Sequence, residues 1–229
     1  MAFPRFTAVA DHAVLAEFAE TITPQASEAV RQLDAKLAAA PFAGFVEAVP
    51  AYVSLLVIFD PVVSDHVLVE ASLRARLAAP KIARAKGRLH AVEVCYDADL
   101  APDLGAVAEA RGMTVDAVIA AHLSGRYSVA LYGFAPGYAY LSGVPASLDL
   151  PRKPRAVRAV PAGSVIIAGA QCIVTTLTMP TGWWIIGRSP TRILRDDPAR
   201  PFLFDVGDAV RFRRIDRATF DAGVGGGLA

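Results

Sequence analysis

Cysteine is scarce in this chain. Only Cys95 and Cys172 are present, far apart in sequence and at no metal-ligand spacing. That excludes a disulfide-stapled secreted domain and favours a reducing compartment, so a cytoplasmic location is expected. The four histidines, His12, His66, His90 and His122, form no cluster, and no His-Glu-x-x-His occurs, so no zinc-protease helix is present. A Walker A loop is missing, which leaves the chain without the usual cradle for ATP. There is no Gly-x-Ser-x-Gly elbow and no Met-Lys-Met to carry biotin. Charge of one sign is also lacking: the net charge is +1, too little to draw the protein to nucleic acid or an anionic membrane. The start, Met1-Ala2-Phe3-Pro4-Arg5-Phe6, does not have the basic-then-apolar layout of a secretion signal.

What is present is apolar. Of 229 residues 54% are hydrophobic and 20% charged, enough for one large core or two small ones. Residues 159–187 carry no charge, a length that could cross a bilayer as a helix. Pro161 and Pro180 would break that helix, and Gly163, Gly169 and Gly182 interrupt it further. Buried β-strands are the expected form.

The first segment reads as strand, strand, helix, strand, strand, helix. Two short strands fill 5–18. Thr23-Pro24 offers a cap and a first-turn proline, and Ala26, Ala29, Val30, Leu33 and Leu37 recur at helical spacing, predicting a helix over 24–39. Strands at Phe45–Val49 and Tyr52–Phe59 follow, then a helix capped by Ser64 or Asp65 and running to Leu77. This predicts two helices on one face of a small sheet. Ala79 to Arg88 is basic and reads as a linker. The second segment opens with a strand at Leu89–Tyr96. Helices are expected at Asp99–Ala110 and after the Thr114 cap, and a strand at Tyr127–Leu131. Many short strands then suggest a closed barrel, with strands also expected at Arg192–Arg195, Phe202–Phe204 and Ala209–Arg214. The expected division is an N-terminal α/β domain over 1–87, a β-barrel domain over 88–218 and a loose glycine-rich tail over 219–229, an α+β protein overall.

The polar groups that could do chemistry stand in and just before the stretch Leu131–Arg192. Gly133-Phe134-Ala135-Pro136-Gly137-Tyr138 is either a rigid lip presenting amides and rings to a small ligand or a turn packed by its own aromatics. Arg152, Lys153, Arg155 and Arg158 lie close together with no acid among them. A guanidinium there suits a carboxylate or phosphate, while a solvated basic face is the plainer alternative. Gln171, in an apolar run, must find hydrogen bonds, from a ligand or from a neighbouring strand. Cys172 beside it is expected to be a packed thiol. His122 ends a helix, where it can act as a general base or stabilise the helix C-terminus by its charge; the position favours the second.

The motifs Gly133-Phe134-x-Pro136-Gly137-Tyr138, Pro151-Arg152, Pro154-Arg155, Val160-Pro161-Ala162-Gly163-Ser164-Val165, Ala168-Gly169-x-Gln171, Gly182-Trp183 and Ile186-Gly187-Arg188-x-Pro190 occur in this order in a known group. By them the chain resembles the allophanate hydrolase subunit 1, or carboxyltransferase C–D subdomain, family. That family includes the B component of ATP-dependent 5-oxoprolinase, a segment of urea carboxylase and a bacterial inhibitor of a sporulation histidine kinase. The resemblance implies a small α/β domain followed by a cyclophilin-like β-barrel. It implies as partner a carboxyltransferase A–B protein resembling the C component of 5-oxoprolinase. ATP, and biotin where it is used, would be handled by partner proteins, with no cofactor bound by this chain. A histidine, an arginine and a glutamine of the family's barrel pocket match His122, Arg155 and Gln171. The chain departs from the common pattern after Gln171, where Cys172-Ile173-Val174-Thr175-Thr176 replaces Thr-Gly-Ile-Tyr-Pro, and at Pro180-Thr181-Gly182-Trp183, which has lost a glycine.

Taken with the resemblance, the expectation is an enzyme subunit that helps open or carboxylate a small amide. Arg155 would hold a carboxylate or carboxyphosphate, His122 would shuttle a proton, and Gln171 with the amides near Gly137 would orient the carbonyl. Phe134, Pro136, Gly137, Tyr138 and Arg188 would line the substrate site. The rival expectation is a non-catalytic module that docks on a kinase through Phe134 and Tyr138. Prolyl isomerase activity is suggested only by fold analogy.

Overall fold

The computed structural model describes residues 3–82 and 87–225. Its contacts divide the chain into two units, Met1–Ala85 and Lys86–Ala229. Part of the expected linker, residues 83–86, lies outside the described residues.

The first unit contains β1 (Arg5–Val9), β2 (Ala13–Glu17), α1 (Pro24–Ala39), β3 (Phe45–Pro50), β4 (Ser54–Phe59) and α2 (His66–Ala78). The four strands form an antiparallel sheet in the order β1-β2-β4-β3. Alternation along β2 and β4 sends Val14, Ala16, Leu55, Val57 and Phe59 to one face, where Val30, Leu33 and Leu37 of α1 and Val69 and Leu73 of α2 cover them. Each fully buried leucine contributes about 1.5–3 kcal/mol relative to exposure. Thr23 Oγ1 accepts from the Ala26 amide and Asp65 Oδ1 from the Leu68 amide, so each helix starts where a side chain satisfies an otherwise orphaned N–H. Lys36 is buried on α1, where its ammonium donates to the Arg76 and Ala79 carbonyls at 2.7 and 2.8 Å.

The second unit begins with β5 (Leu89–Val94), α3 (Leu104–Arg111) and α4 (Val115–Ser124). It continues through β6 (Tyr127–Tyr132), β7 (Ala139–Ser142), β8 (Val157–Val160), β9 (Ser164–Ala168), β10 (Gln171–Val174), β11 (Met179–Thr181), β12 (Trp184–Arg188), β13 (Ala209–Arg214) and α5 (Arg217–Gly225). Seven strands run in the order β12-β9-β10-β7-β6-β13-β5, and β8 pairs with β11 as a separate ribbon. The β5–β13 pair is parallel. Just past β5, Cys95 bridges to Arg188 on β12, with reciprocal backbone hydrogen bonds of 2.8 and 2.9 Å. That bridge brings the two edges of the sheet together and nearly closes the barrel. Gly187 makes the seam possible, because a Cβ there would lie 2.6 Å from Val94 Cγ1.

The uncharged run forms β9 to β12, strands and not a spanning helix. Among the described residues no helix is long and apolar enough to cross a membrane. Three expectations are corrected. Residues 192–195 and 202–204 form no strands; they meet only at a single Leu194–Phe202 bridge. The helix expected from Asp99 starts at Leu104, after a turn. The tail is not loose from 219: α5 reaches Gly225, held by buried Phe220 and by Asp216, whose carboxylate accepts from the Thr219 amide at 2.8 Å. Residues 226–229 lie outside the described residues.

Candidate functional site

The loop between β6 and β7 is tied into itself. The Gly133 amide donates to the Tyr138 carbonyl, Tyr138 to Ala135, and Ala135 to Gly133. The last of these, a bond across one residue, wraps around Phe134, which is held at φ 72°. A left-handed aromatic residue stores about 1–2 kcal/mol of strain, and here the strain points Phe134 outward, 75% exposed. Gly137 is also left-handed, at φ 72°, and a Cβ there would lie 2.7 Å from Leu194 Cδ2, so only glycine suits the position. The Pro136 carbonyl accepts from Thr176 Oγ1 at 2.7 Å.

Beside this loop is a cleft of about 130 Å³ lined by Phe134, Tyr138, Tyr140, Arg152, Trp183 and Ile173, among others. Its floor is formed by Tyr138, Ile166, Ile173 and Trp183, part of a small cluster on the outer face of the barrel strands. Arg152 supplies the cation, its guanidinium carbon 5.7 Å from the Trp183 ring centre. The loop that carries Arg152 is anchored on both sides. Trp184 Nε1 donates to the Pro151 carbonyl at 2.8 Å, and the Lys153 amide to Gly182 at 2.7 Å. The Lys153 ammonium pairs with Asp103, whose same oxygen also accepts from the Ile185 amide at 2.7 Å.

The three residues expected to converge do not. His122 is fully buried in the barrel interior. Tyr96 Oη lies 2.7 Å from its Nδ1 and Cys172 Sγ 3.7 Å from its Nε2, and the Phe212 ring centre is 4.4 Å away. Burial drives its pKa down to about 3 and pushes the Cys172 thiol up. Gln171 is next to Cys172 on β10, and successive strand residues point to opposite faces. Cys172 and Val174 join the interior core, and Ile173 the outer cluster, so Gln171 is turned to the outer face, away from His122. Arg155 is exposed and makes no ion pair or hydrogen bond among the described residues. The arginine that lines the cleft is Arg152.

Of the other expected site residues, Phe134 and Tyr138 line the cleft, with Tyr138 only 3% exposed. Pro136 and Gly137 face Thr176 and Leu194 instead. Arg188 lines a second cleft, with Gly163, Thr176, Ser189 and Leu194.

The carboxyltransferase domain, subdomain C and D, matches this chain over residues 4–204. The chain belongs to that family. Within it, the B component of 5-oxoprolinase from Bacillus subtilis is 34% identical over 225 residues, which cover 93% of each protein. The crystal structure of TTHA0988 superposes with a TM-score of 0.79 at 33% identity, covering 90% of this chain; the match spans 40% of TTHA0988. The conserved uncharacterized protein PH0987 from Pyrococcus horikoshii is 36% identical, with a TM-score of 0.56, over 94% of this chain and all of that one. In this carboxyltransferase C–D chain, sequence reasoning overlooked Trp183 and Asp103. Trp183 had a signal, being the aromatic of the Gly182-Trp183 motif. Asp103 had none, since its partner Lys153 is fifty residues away.

Proposed function

We propose that this chain is the component, equivalent to the B component of 5-oxoprolinase, of an ATP-dependent enzyme that opens or carboxylates a small amide, a lactam or a urea-like compound. In this reading it works with a carboxyltransferase A–B protein resembling the C component of 5-oxoprolinase, and its partners handle ATP. The observation that carries the reading is the end-to-end likeness to the 5-oxoprolinase B component, 93% of each chain. The cleft supports it chemically. Flat apolar walls from Tyr138, Tyr140 and Trp183 suit a small ring or planar amide, and Arg152 beside them suits its carboxylate. Arg152 thus takes the anion-holding part that the sequence motif assigned to Arg155. This reading gives His122 no part in proton transfer, because it is fully buried in the barrel interior and burial lowers its pKa to about 3.

The test is reconstitution. The chain is mixed with the matching carboxyltransferase A–B partner from the same source, and ATP hydrolysis is followed with 5-oxoproline or with urea added. Lactam- or urea-stimulated hydrolysis that needs both proteins is the expected result. A pair that assembles but shows no stimulation by either amide overturns the proposal.

A further inference from the structure

The second cleft of the barrel unit contains an arginine that no carboxylate among the described residues neutralises. It has a volume of about 510 Å³. Arg188, at the end of β12, is partly buried there. Its backbone is fixed by the seam bonds to Cys95. Its Nε donates to the Ala162 carbonyl at 3.2 Å, and its guanidinium carbon lies 5.9 Å from the Phe220 ring centre. Among the described residues the two terminal nitrogens have no partner, and no carboxylate pairs with the group. A partly buried guanidinium that is held at one nitrogen and open at the other two is a preformed fork for an oxyanion.

Two hydroxyls beside it are also uncommitted. Ser189 Oγ accepts from the Thr191 amide at 3.1 Å, which leaves its proton to give. Thr191 Oγ1 makes no hydrogen bond among the described residues. Both residues line the cleft, and Ile193, Leu194 and Val224 supply apolar wall. The other hydroxyls there are occupied: Thr175 donates to the Pro161 carbonyl and Thr176 to Pro136.

We propose that this cleft is a second ligand site, which binds the phosphoryl or carboxyl group of a small molecule. Arg188 grips the oxyanion with its terminal nitrogens, and Ser189 and Thr191 donate from the side. The site is separate from the Arg152 cleft and does not rest on the function proposed above. The shared loop touches both: Phe134 and Tyr138 line the first cleft, while Pro136 and Gly137 contact Thr176 and Leu194 of the second.

The experiment titrates the whole protein with inorganic phosphate, and separately with succinate, at low ionic strength. Calorimetry and amide chemical shifts of Gly163, Ser189 and Thr191 are the readouts. Saturable binding of at least one anion, centred on those amides, is expected, and the preferred anion identifies the ligand's charged group. Arg188→Gln should weaken binding at least about tenfold, the loss expected for charged hydrogen bonds. Arg188→Lys, which keeps the charge without the fork, should fall between. Arg155→Gln, which removes an exposed arginine that lines neither cleft, should bind as tightly as the parent. A thermal melt checks that each variant is folded, and Ser189→Ala gives a second, milder probe if Arg188→Gln is not. Binding of neither anion, or binding that persists unchanged in folded Arg188→Gln and Ser189→Ala, overturns the proposal.

Discussion

Tyr96 Oη lies 2.7 Å from His122 Nδ1 inside the barrel, and neither group lines the Arg152 cleft or the Arg188 cleft. Burial raises the Tyr96 phenol and keeps it protonated, and it lowers the His122 imidazole, so the hydrogen bond joins two neutral groups. The pair is a polar tie in an apolar core, and it makes stability depend on pH. The folded His122 pKa, about 3, is depressed below the ordinary value of 6.5. Below pH 6.5 the unfolded chain takes up a proton that the folded chain refuses, so the contribution is whole above that pH and declines as pH falls toward 3. At about 1.4 kcal/mol per pH unit, the loss from this group between pH 7 and pH 5 is about 2 kcal/mol. His122→Gln removes that share of the slope. Urea unfolding of both proteins at the two pH values measures it; identical slopes would show that His122 titrates normally.

The barrel seam yields a second prediction. A Cβ at position 187 would lie 2.6 Å from Val94 Cγ1 and 3.1 Å from the Cys95 carbonyl oxygen. Val94 is fully buried in a strand, and its branched side chain has little freedom to turn aside. Gly187→Ala should therefore destabilise by about 1–3 kcal/mol, the range for overpacking a dense core. The midpoint of urea denaturation reports the change, and an unaltered midpoint would mean that the seam is looser than its bonds to Cys95 indicate.

The first helix was legible to the residue because three local signals agree: Thr23 as cap, Pro24 at the first turn, and apolar residues on one face. The four strands β1 to β4 and the β3–β4 pair were legible for a similar reason, since turn residues separate the runs; the β2–β4 pairing that completes the sheet was not. The site was harder. Every residue of β9 is buried, and three of the four in β10. Strands covered on both faces lose the alternation that tells inside from outside. A single residue then decides whether Gln171 or Cys172 faces the interior, and nothing local says which. Arg155 and Arg152 were likewise indistinguishable, because what selects Arg152 is the anchoring of its neighbours to β12 and to Asp103. The tail misled through its glycines: Gly223 is needed where α5 meets Pro190, a Cβ there lying 2.9 Å from Pro190 Cβ.

That anchoring can be cut without touching the cleft. Asp103 accepts from both the Lys153 ammonium and the Ile185 amide, and it is only 19% exposed. Lys153→Met leaves the carboxylate half-satisfied and frees the loop. A loss of about 1–3 kcal/mol is expected for an under-partnered, partly buried charge. Asp103→Asn keeps an acceptor for Ile185 and weakens only the ion pair, so it should cost less. In the reconstituted enzyme both variants should raise KM more than they lower kcat, because Arg152 is displaced and no reacting group is removed. Equal loss of stability with unchanged KM would confine the pair to a structural role.

The two arginines of the loop give the sharpest separation. Arg152 lies over Trp183 and lines the first cleft, whereas Arg155 stands in solvent without a partner among the described residues. If Arg152 holds the substrate carboxylate, Arg152→Gln removes a charged hydrogen bond of about 1.5–3 kcal/mol, which corresponds to a fall in kcat/KM of roughly 10- to 150-fold. Arg155→Gln removes only an exposed charge, and its effect should stay within about threefold and fade as salt screens it. Arg152→Lys should recover part of the loss, since the charge remains but the planar fork does not. The measurement is steady-state kinetics of the reconstituted pair at two ionic strengths. The reverse order, a large loss at 155 and none at 152, would move substrate binding out of the aromatic cleft and onto the exposed end of the loop.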